Sequence, residues 1–173
     1  MWYYFGMNNS IIGHSKIIEF FEKVISNGNL SHAYCLVGPD QIGKKTVAEY
    51  ISGKILGVPA GKLKQQPDYI LVEQEINEKT DKMNKNISSE QTRDLRLFLS
   101  QKSFLSGYKI AVIDMAEKMN DSSANILLKT LEEPRGKTVL FLITRNENLL
   151  PKTIQSRCQA IFFHPVEKKL IKQ

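Results

Sequence analysis

Cysteine and long apolar runs are scarce in this sequence, and each shortage excludes a class of protein. The two cysteines, Cys35 and Cys158, form no cluster, so no cysteine-based zinc site is expected. Cys35 falls in a predicted core strand, which favours a buried thiol in a reducing compartment. No apolar run reaches the roughly eighteen residues that a membrane-spanning helix needs. The N-terminal segment also lacks the basic region of a signal peptide. We therefore expect a cytoplasmic protein without a membrane partner.

Net charge gives a weaker indication of function. The chain has 173 residues, with 24 Lys and Arg against 18 Asp and Glu, and a net charge of +6. This length predicts one domain with a sizeable core. The positive balance favours a polyanionic partner, although scattered solubilising lysines explain it equally well. A simple DNA-binding module would rest on this charge alone, because no base-reading motif accompanies it.

Short apolar runs alternate with amphipathic helical patterns along the chain. Such alternation predicts a parallel sheet that is covered by helices on both faces. A polar stretch at 73–86 is predicted to be an exposed hairpin or a mobile loop. The predicted strands are Ala33–Val37, Tyr69–Val72, Lys109–Asp114, Thr138–Ile143 and Ala160–Phe163.

The first strand leads into a phosphate-binding loop with one substituted position. The pattern G-x-x-x-x-G-K-[ST] is met by Gly38, Gly43 and Lys44, but Lys45 replaces the hydroxyl residue that binds magnesium. In such loops the glycines let backbone amides approach phosphate oxygens. We expect Lys44 to reach the outer phosphates. The alternative is a glycine turn with two solvated lysines.

Asp114 ends the third apolar strand, in the same predicted sheet as the loop. A carboxylate at this position is expected near the magnesium of a nucleotide site. The next residue is Met115, which cannot polarise water, so a second catalytic element is missing. The alternative for Asp114 is a helix cap or a salt-bridge partner.

Arg157 lies in the segment Ser156-Arg157-Cys158, just before the last strand. An arginine there is either a solvated charge or a finger delivered in trans to the γ-phosphate of a neighbouring subunit. On physical grounds alone the solvated charge is the simpler interpretation. We expect Arg157 to be exposed and to add nothing to the stability of its own domain.

Six segments occur in a fixed order, at 12–14, 31–34, 38–44, 110–114, 125–134 and 150–158. Together they resemble the clamp-loader AAA+ family. The resemblance covers about residues 10–165 and implies a P-loop NTPase-like three-layer α/β sandwich with a five-stranded parallel sheet. Residues 1–9 would be an N-terminal extension, and 166–173 a tail or the start of a lid domain. The family's lid and collar domains do not fit after Phe163, so the chain is either part of a longer protein or unusually short.

Within this family the chain most resembles the noncatalytic delta-prime subunits of bacterial DNA polymerase III. Lys45, Met115 and the missing four-cysteine zinc module all separate it from the ATPase gamma/tau subunits. The resemblance makes Arg157 the finger offered to an adjacent ATPase, and Thr144 the counterpart of a γ-phosphate sensor. The nucleotide site would be vestigial, with no metal, no required cofactor and at most weak ATP or ADP binding. Its residues would be Gly38, Gly43, Lys44, Lys45, Thr46, Asp114 and Thr144.

The resemblance also implies partners. These are the gamma/tau and delta subunits, with the sliding clamp and primed DNA met through the complex. The rival hypothesis is an active ATPase subunit of the same clamp loader. It would use Thr46 as a displaced magnesium ligand, with Glu117 or Asp114 handling the water. However, one position along a helix rotates a side chain by about 100°, away from the site.

Overall fold

Five parallel strands form the central sheet, as predicted, in the order β2-β5-β6-β1-β7. The computed structural model describes residues 11, 13–77, 81–105 and 107–165. The predicted extension at 1–9 and tail at 166–173 lie outside these described residues. The strands of the sheet are β1 (Ala33–Val37), β2 (Tyr69–Val72), β5 (Tyr108–Ile113), β6 (Lys137–Thr144) and β7 (Gln159–Phe162).

Both faces of the sheet are covered by helices, which gives the predicted three layers. The helix α1 and the helix after the loop, α2, cover one face, while α3 and α4 cover the other. Within the described part of the chain, no helix has the length and apolarity that a membrane crossing requires. The helices are α1 (Ser15–Ser26), α2 (Lys44–Leu56), α3 (Ser89–Ser100), α4 (Asp121–Glu132) and the short α5 (Lys152–Gln155).

Strand β1 shows why the strands of this sheet appear in the sequence as continuous apolar runs. All five of its residues are buried. Tyr34 and Leu36 face the layer of α1 and α2, whereas Cys35 and Val37 face the layer of α3 and α4. A strand with helices on both sides has no solvent face, so it shows no polar alternation. Burial also raises the pKa of the Cys35 thiol to about 12, in agreement with the predicted buried thiol.

Local sequence signals set the helix ends. Ser88 and Gln91 form a reciprocal capping box that begins α3, as the sequence predicts. The side chain of Asn120 caps α4 by accepting a hydrogen bond from the amide of Ser123. Helix α2 ends at Gly57, whose φ of 71° suits a glycine.

The polar stretch at 73–86 contains a small antiparallel hairpin, which agrees with the first of its two predicted forms. Its strands are β3 (Ile76–Asn77) and β4 (Lys82–Met83). The side-chain amide of Gln74 donates to the carbonyls of Asn84 and Lys85 and joins the two arms. The hairpin therefore follows β2 directly, beside the end of the sheet where the loop lies.

A buried carboxylate fixes the segment that enters β5. Asp68 is 2% exposed, and its two oxygens accept the backbone N–H groups of Phe104 and Leu105 at 2.7 Å each. Its Oδ1 lies 3.6 Å from the buried ammonium of Lys109, which also sits over the ring of Phe98. A buried ion pair of this kind is costly to break, because each group would be left without compensation.

We expect Asp68→Ala to lower the free energy of unfolding by about 3 kcal/mol or more, because it leaves Lys109 buried beside two unpaired amides. Urea unfolding followed by circular dichroism measures the change. The control is Asp94→Ala on the exposed face of α3, which should stay within about 0.5 kcal/mol. Equal unfolding midpoints for the two variants would contradict this role of Asp68.

Candidate functional site

A cleft of about 390 Å³ opens at the carboxyl ends of β1, β5 and β6. This edge of a parallel sheet is where ligands bind in open α/β folds. Six of the seven predicted nucleotide-site residues line the cleft, and the seventh, Gly38, directly follows β1. The lining residues are Asp40, Gln41, Gly43, Lys44, Lys45, Thr46, Asp114, Met115, Glu117, Ile143, Thr144 and Arg145.

The two glycines of the loop are needed for different reasons. A Cβ on Gly38 would lie 2.7 Å from the backbone oxygen of Phe163, so only glycine allows the chain after β7 to pass this closely. Gly43 has a φ of 96°, a conformation that other residues rarely adopt, directly before α2 begins. The loop therefore has the backbone shape that its sequence pattern predicts.

His14, which directly precedes α1, contacts the loop. Its Nε2 lies 2.8 Å from the carbonyl oxygen of Ile42, and its ring packs against Phe163 with centroids 4.7 Å apart. In the sequence, His14 belongs to one of the segments that resemble the clamp-loader family, but that resemblance implied no role for it. Only the fold brings it to a loop that lies 28 residues further along the chain.

Lys44 contacts its own loop. The side chain is only 5% exposed, and Nζ donates to the carbonyl oxygens of Gly38 at 2.5 Å and Pro39 at 2.6 Å. Burial lowers the pKa of this lysine. The alternative of a solvated Lys44 is wrong, while its reach towards outer phosphates stays a prediction. The ammonium closes the loop on itself.

Lys45 lies between two carboxylates. Its Nζ donates to Glu73 Oε2 at 2.6 Å and lies 3.4 Å from Asp114 Oδ2. Burial opposes the charged form of Lys45, but the bond to Glu73 and the charge of Asp114 together raise its pKa. Asp114 is thus a salt-bridge partner, the alternative that the sequence left open, and it lies beside the loop as predicted.

These residues do not fit a magnesium site. Magnesium requires oxygen ligands in a nearly octahedral arrangement. Position 45 offers an ammonium group, Met115 offers no oxygen, and the carboxylate of Asp114 is already paired with Lys45. Thr46 lines the same cleft and is exposed.

A third cation, Arg145, crosses the cleft. Its Nε donates to Glu117 Oε1 at 3.1 Å, and its Nη1 lies 3.5 Å from Asp40 Oδ2 in the loop. The other oxygen of Glu117 is buried and accepts no hydrogen bond from the described residues. Sequence reasoning missed Arg145, although its position directly after Thr144 at the end of β6 was a usable signal.

Charge balance distinguishes this cleft from one that holds a polyphosphate. Its three cationic side chains face three carboxylates, and Lys45 is bonded to a fourth carboxylate, Glu73. A nucleoside triphosphate brings several negative charges, which such sites offset with free cations and a metal ion. The charged residues of the lining are Lys44, Lys45, Arg145, Asp40, Asp114 and Glu117.

Thr144 occupies the predicted end of β6 and is 1% exposed. Its hydroxyl donates to the carbonyl oxygen of Asn146 at 3.0 Å, and its own carbonyl accepts the amide of Gly38. Both groups therefore stabilise the junction of the loop and the sheet. Thr144 is the last residue of β6, and its role as the counterpart of a γ-phosphate sensor stays a prediction.

Arg157 lies at the opposite end of the sheet from the cleft. It precedes β7, whose Gln159 pairs with Tyr34 near the start of β1, whereas the loop follows the end of β1. Parallel strands rise about 3.3 Å per residue, so the length of β1 separates the arginine from its own cleft. Any phosphate that Arg157 meets must come from another molecule.

Arg157 is exposed only in part, and it makes contacts within its own domain that the sequence did not predict. Its side chain is 35% exposed, and Nη2 donates to Glu132 Oε1 at 2.9 Å. Its Nη1 donates to the carbonyl oxygen of Thr153 at 2.8 Å and to the hydroxyl of Ser156 at 3.3 Å. The sequence could not supply these contacts, because Glu132 belongs to a helix 25 residues earlier in the chain.

Comparison with known proteins agrees with the clamp-loader resemblance. The family model described as "DNA polymerase III, delta subunit" matches residues 13–167. A DNA polymerase III subunit delta' from Pseudomonas aeruginosa is 39% identical over 142 residues, which is 74% of this chain and 42% of that protein. A subunit delta' from Bacillus subtilis is 28% identical over 90% of this chain and 49% of that protein. The chain thus spans less than half the length of these relatives.

Relatives named tau or gamma and solved structures match as well. A DNA polymerase III subunit tau/gamma from Haemophilus influenzae is 27% identical over 94% of this chain and 24% of that protein. The solved structure of a gamma subunit-related protein from Thermotoga maritima has a TM-score of 0.67 at 23% identity, over 88% of this chain and 48% of that chain. The RuvB motor from the same organism has a TM-score of 0.58 at 18% identity. These structures support the AAA+ fold.

We expect Lys45→Thr to convert the cleft into one whose ATP affinity rises with magnesium, because the change frees Asp114 and restores a hydroxyl. The unsubstituted chain should bind ATP weakly, with nearly the same affinity with and without magnesium. Calorimetry with and without magnesium measures both. The control is Lys54→Thr on the same helix, which should behave like the unsubstituted chain. A large magnesium effect before substitution would show that a metal site persists.

Proposed function

The chain belongs to the DNA polymerase III delta subunit family, a clamp-loader family, and from that premise we propose that it is a noncatalytic clamp-loader subunit. In this role it would support ATP-dependent loading of the sliding clamp onto primed DNA in the cytoplasm. Its partners would be gamma/tau and delta subunits within a hetero-oligomer. It would act as a scaffold and as the donor of one arginine.

The single observation that carries this proposal is the ammonium of Lys45, 3.4 Å from the carboxylate of Asp114. In related ATPases this carboxylate serves a magnesium ion, which neutralises charge as phosphate is transferred. An ion pair with a lysine gives the carboxylate a fixed partner inside the protein. The neighbouring Met115 supplies no group to orient water, so the cleft lacks the magnesium-binding hydroxyl at position 45 and the carboxylate at position 115.

The location of Arg157 supports its proposed action in trans. It lies at the end of the sheet away from its own cleft, and a third of its side chain is exposed. A planar, permanently charged fork suits a γ-phosphate better than an ammonium does. We propose that a gamma/tau-type ATPase subunit presents its nucleotide to this arginine. Relatives named gamma or tau match most of this chain, which is compatible with related subunits packing side by side.

One observation favours an active ATPase instead. The Oε2 of Glu117 is buried at the cleft and has no partner among the described residues, as a general base would require. The other oxygen of Glu117 accepts a hydrogen bond from Arg145 Nε, which fixes the orientation of the carboxylate. Without a metal ligand at position 45, this carboxylate has no nucleotide held in place to act on.

We expect the isolated chain to show no ATP turnover above background, because metal ligand and water-orienting carboxylate are both missing. A coupled assay for released phosphate measures it, with Lys44→Ala and Glu117→Gln as controls. Both variants should match the unsubstituted chain. Turnover near about 1 s⁻¹ that is abolished by Glu117→Gln would establish the active ATPase instead.

We expect Arg157→Ala, in a reconstituted complex with its gamma/tau-type ATPase, to slow hydrolysis at the neighbouring site by about 10³-fold or more. Arg157→Lys should rescue poorly, because an ammonium lacks the planar fork. Since the lost ion pair is partly exposed, the free energy of unfolding should fall by at most about 1 kcal/mol. The control is Lys152→Ala, which removes an exposed cation from α5. Unchanged ATPase and clamp loading with Arg157→Ala would refute the role in trans.

A further inference from the structure

The guanidinium of Arg157 is held from two directions. Thr153 and Ser156, which lie on and just after α5, accept hydrogen bonds from Nη1. Glu132, the last residue of α4, accepts one from Nη2 at 2.9 Å. The first pair belongs to the arginine's own turn, whereas Glu132 ties the guanidinium to a different helix.

Helix α4 is a rigid support for this contact. Its apolar face lies in the core, where Leu127 is 1% exposed and Leu131, directly before Glu132, is 3% exposed. Arg157 in contrast follows a helix of only four residues. A long side chain on such a short element has many rotamers, and a functional group is placed accurately only when other residues restrict its rotamer.

The contact with Glu132 leaves part of the arginine available. An arginine carries five N–H donors in a fixed fork. In Arg157, Nη1 donates two hydrogen bonds and Nη2 donates one. Glu132 is itself exposed, with 48% of its side chain accessible. An ion pair this exposed is weak, so it orients the arginine without competing strongly against a phosphate.

We propose that Glu132 is a positioning residue for Arg157, one that sets the direction in which the guanidinium meets the nucleotide of a neighbouring subunit. This inference rests on the proposed function of Arg157 and adds a second residue to it. Glu132 itself would contact no nucleotide. It acts only through the ion pair, so its effect must vanish when the arginine is absent.

The test measures ATP hydrolysis by the gamma/tau-type subunit in the reconstituted complex, with kcat and KM determined separately. Glu132→Ala should lower kcat by about 5-fold to 100-fold and leave the KM for ATP unchanged, because a misplaced group costs rate more than binding. Glu132→Gln, which keeps an oxygen acceptor for Nη2, should retain more activity than Glu132→Ala. The matched control is Glu133→Ala, the adjacent exposed carboxylate, which should behave as the unsubstituted chain does.

The double variant separates positioning from a general structural effect. Arg157→Ala with Glu132→Ala should be no slower than Arg157→Ala alone, because the glutamate has nothing left to position. A further loss in the double variant would overturn the inference, as would unchanged or increased kcat with Glu132→Ala. If Arg157→Ala itself leaves the ATPase unchanged, the proposed function fails first. If Arg157→Ala slows hydrolysis but the Glu132 variants do not, the proposed function stands and this inference alone is wrong.

Discussion

Strand β1 is the constraint on which the rest of the structure depends. It is buried on both faces and pairs with β6 on one side and β7 on the other. Its carboxyl end places the loop beside the ends of β5 and β6, and so creates the cleft. Its opposite end lies beside the turn that carries Arg157. One central strand therefore separates the two functional features by its own length.

The chemistry of the cleft follows from replacing a small hydroxyl with a long cation. Lys45 reaches the carboxylate that a metal ion would need and also bonds Glu73, which leads into the hairpin. Lys44 turns back on its own loop, and Arg145 joins the loop to Glu117. The result is a cleft that keeps the geometry of a nucleotide site while its charges neutralise one another.

This arrangement gives a physical reason for the proposed lack of catalysis. A site that needs a metal and a nucleotide holds unpaired charges in their absence, which costs stability. A site that pairs those charges internally removes this cost, and the fold then serves as a support for other surfaces. The turn around Arg157 is one such surface, since its arginine is oriented by contacts within the domain and still partly exposed.

Local pattern in the sequence predicted a large part of this protein. Continuous apolar runs indicated the five strands, the capping box marked the start of α3, and Pro134 agreed with the end of α4 at Glu132. The loop pattern and Asp114 located the cleft correctly. All of these features depend on residues close together in the chain or on the burial of whole segments, and both leave a trace in composition and spacing.

Only the tertiary structure decided which charges meet. Lys45 finds Glu73 across 28 residues, and Arg157 finds Glu132 across 25. These pairs depend on strand order and helix packing, which bring distant side chains within a few ångströms and have no periodic signature. For the same reason the sequence did not show that Lys44 donates to carbonyls of its own loop, or that Arg157 is bonded within its own domain. The sequence by itself thus determined the fold and the position of its cleft, while the paired state of each charge was set by the folded chain.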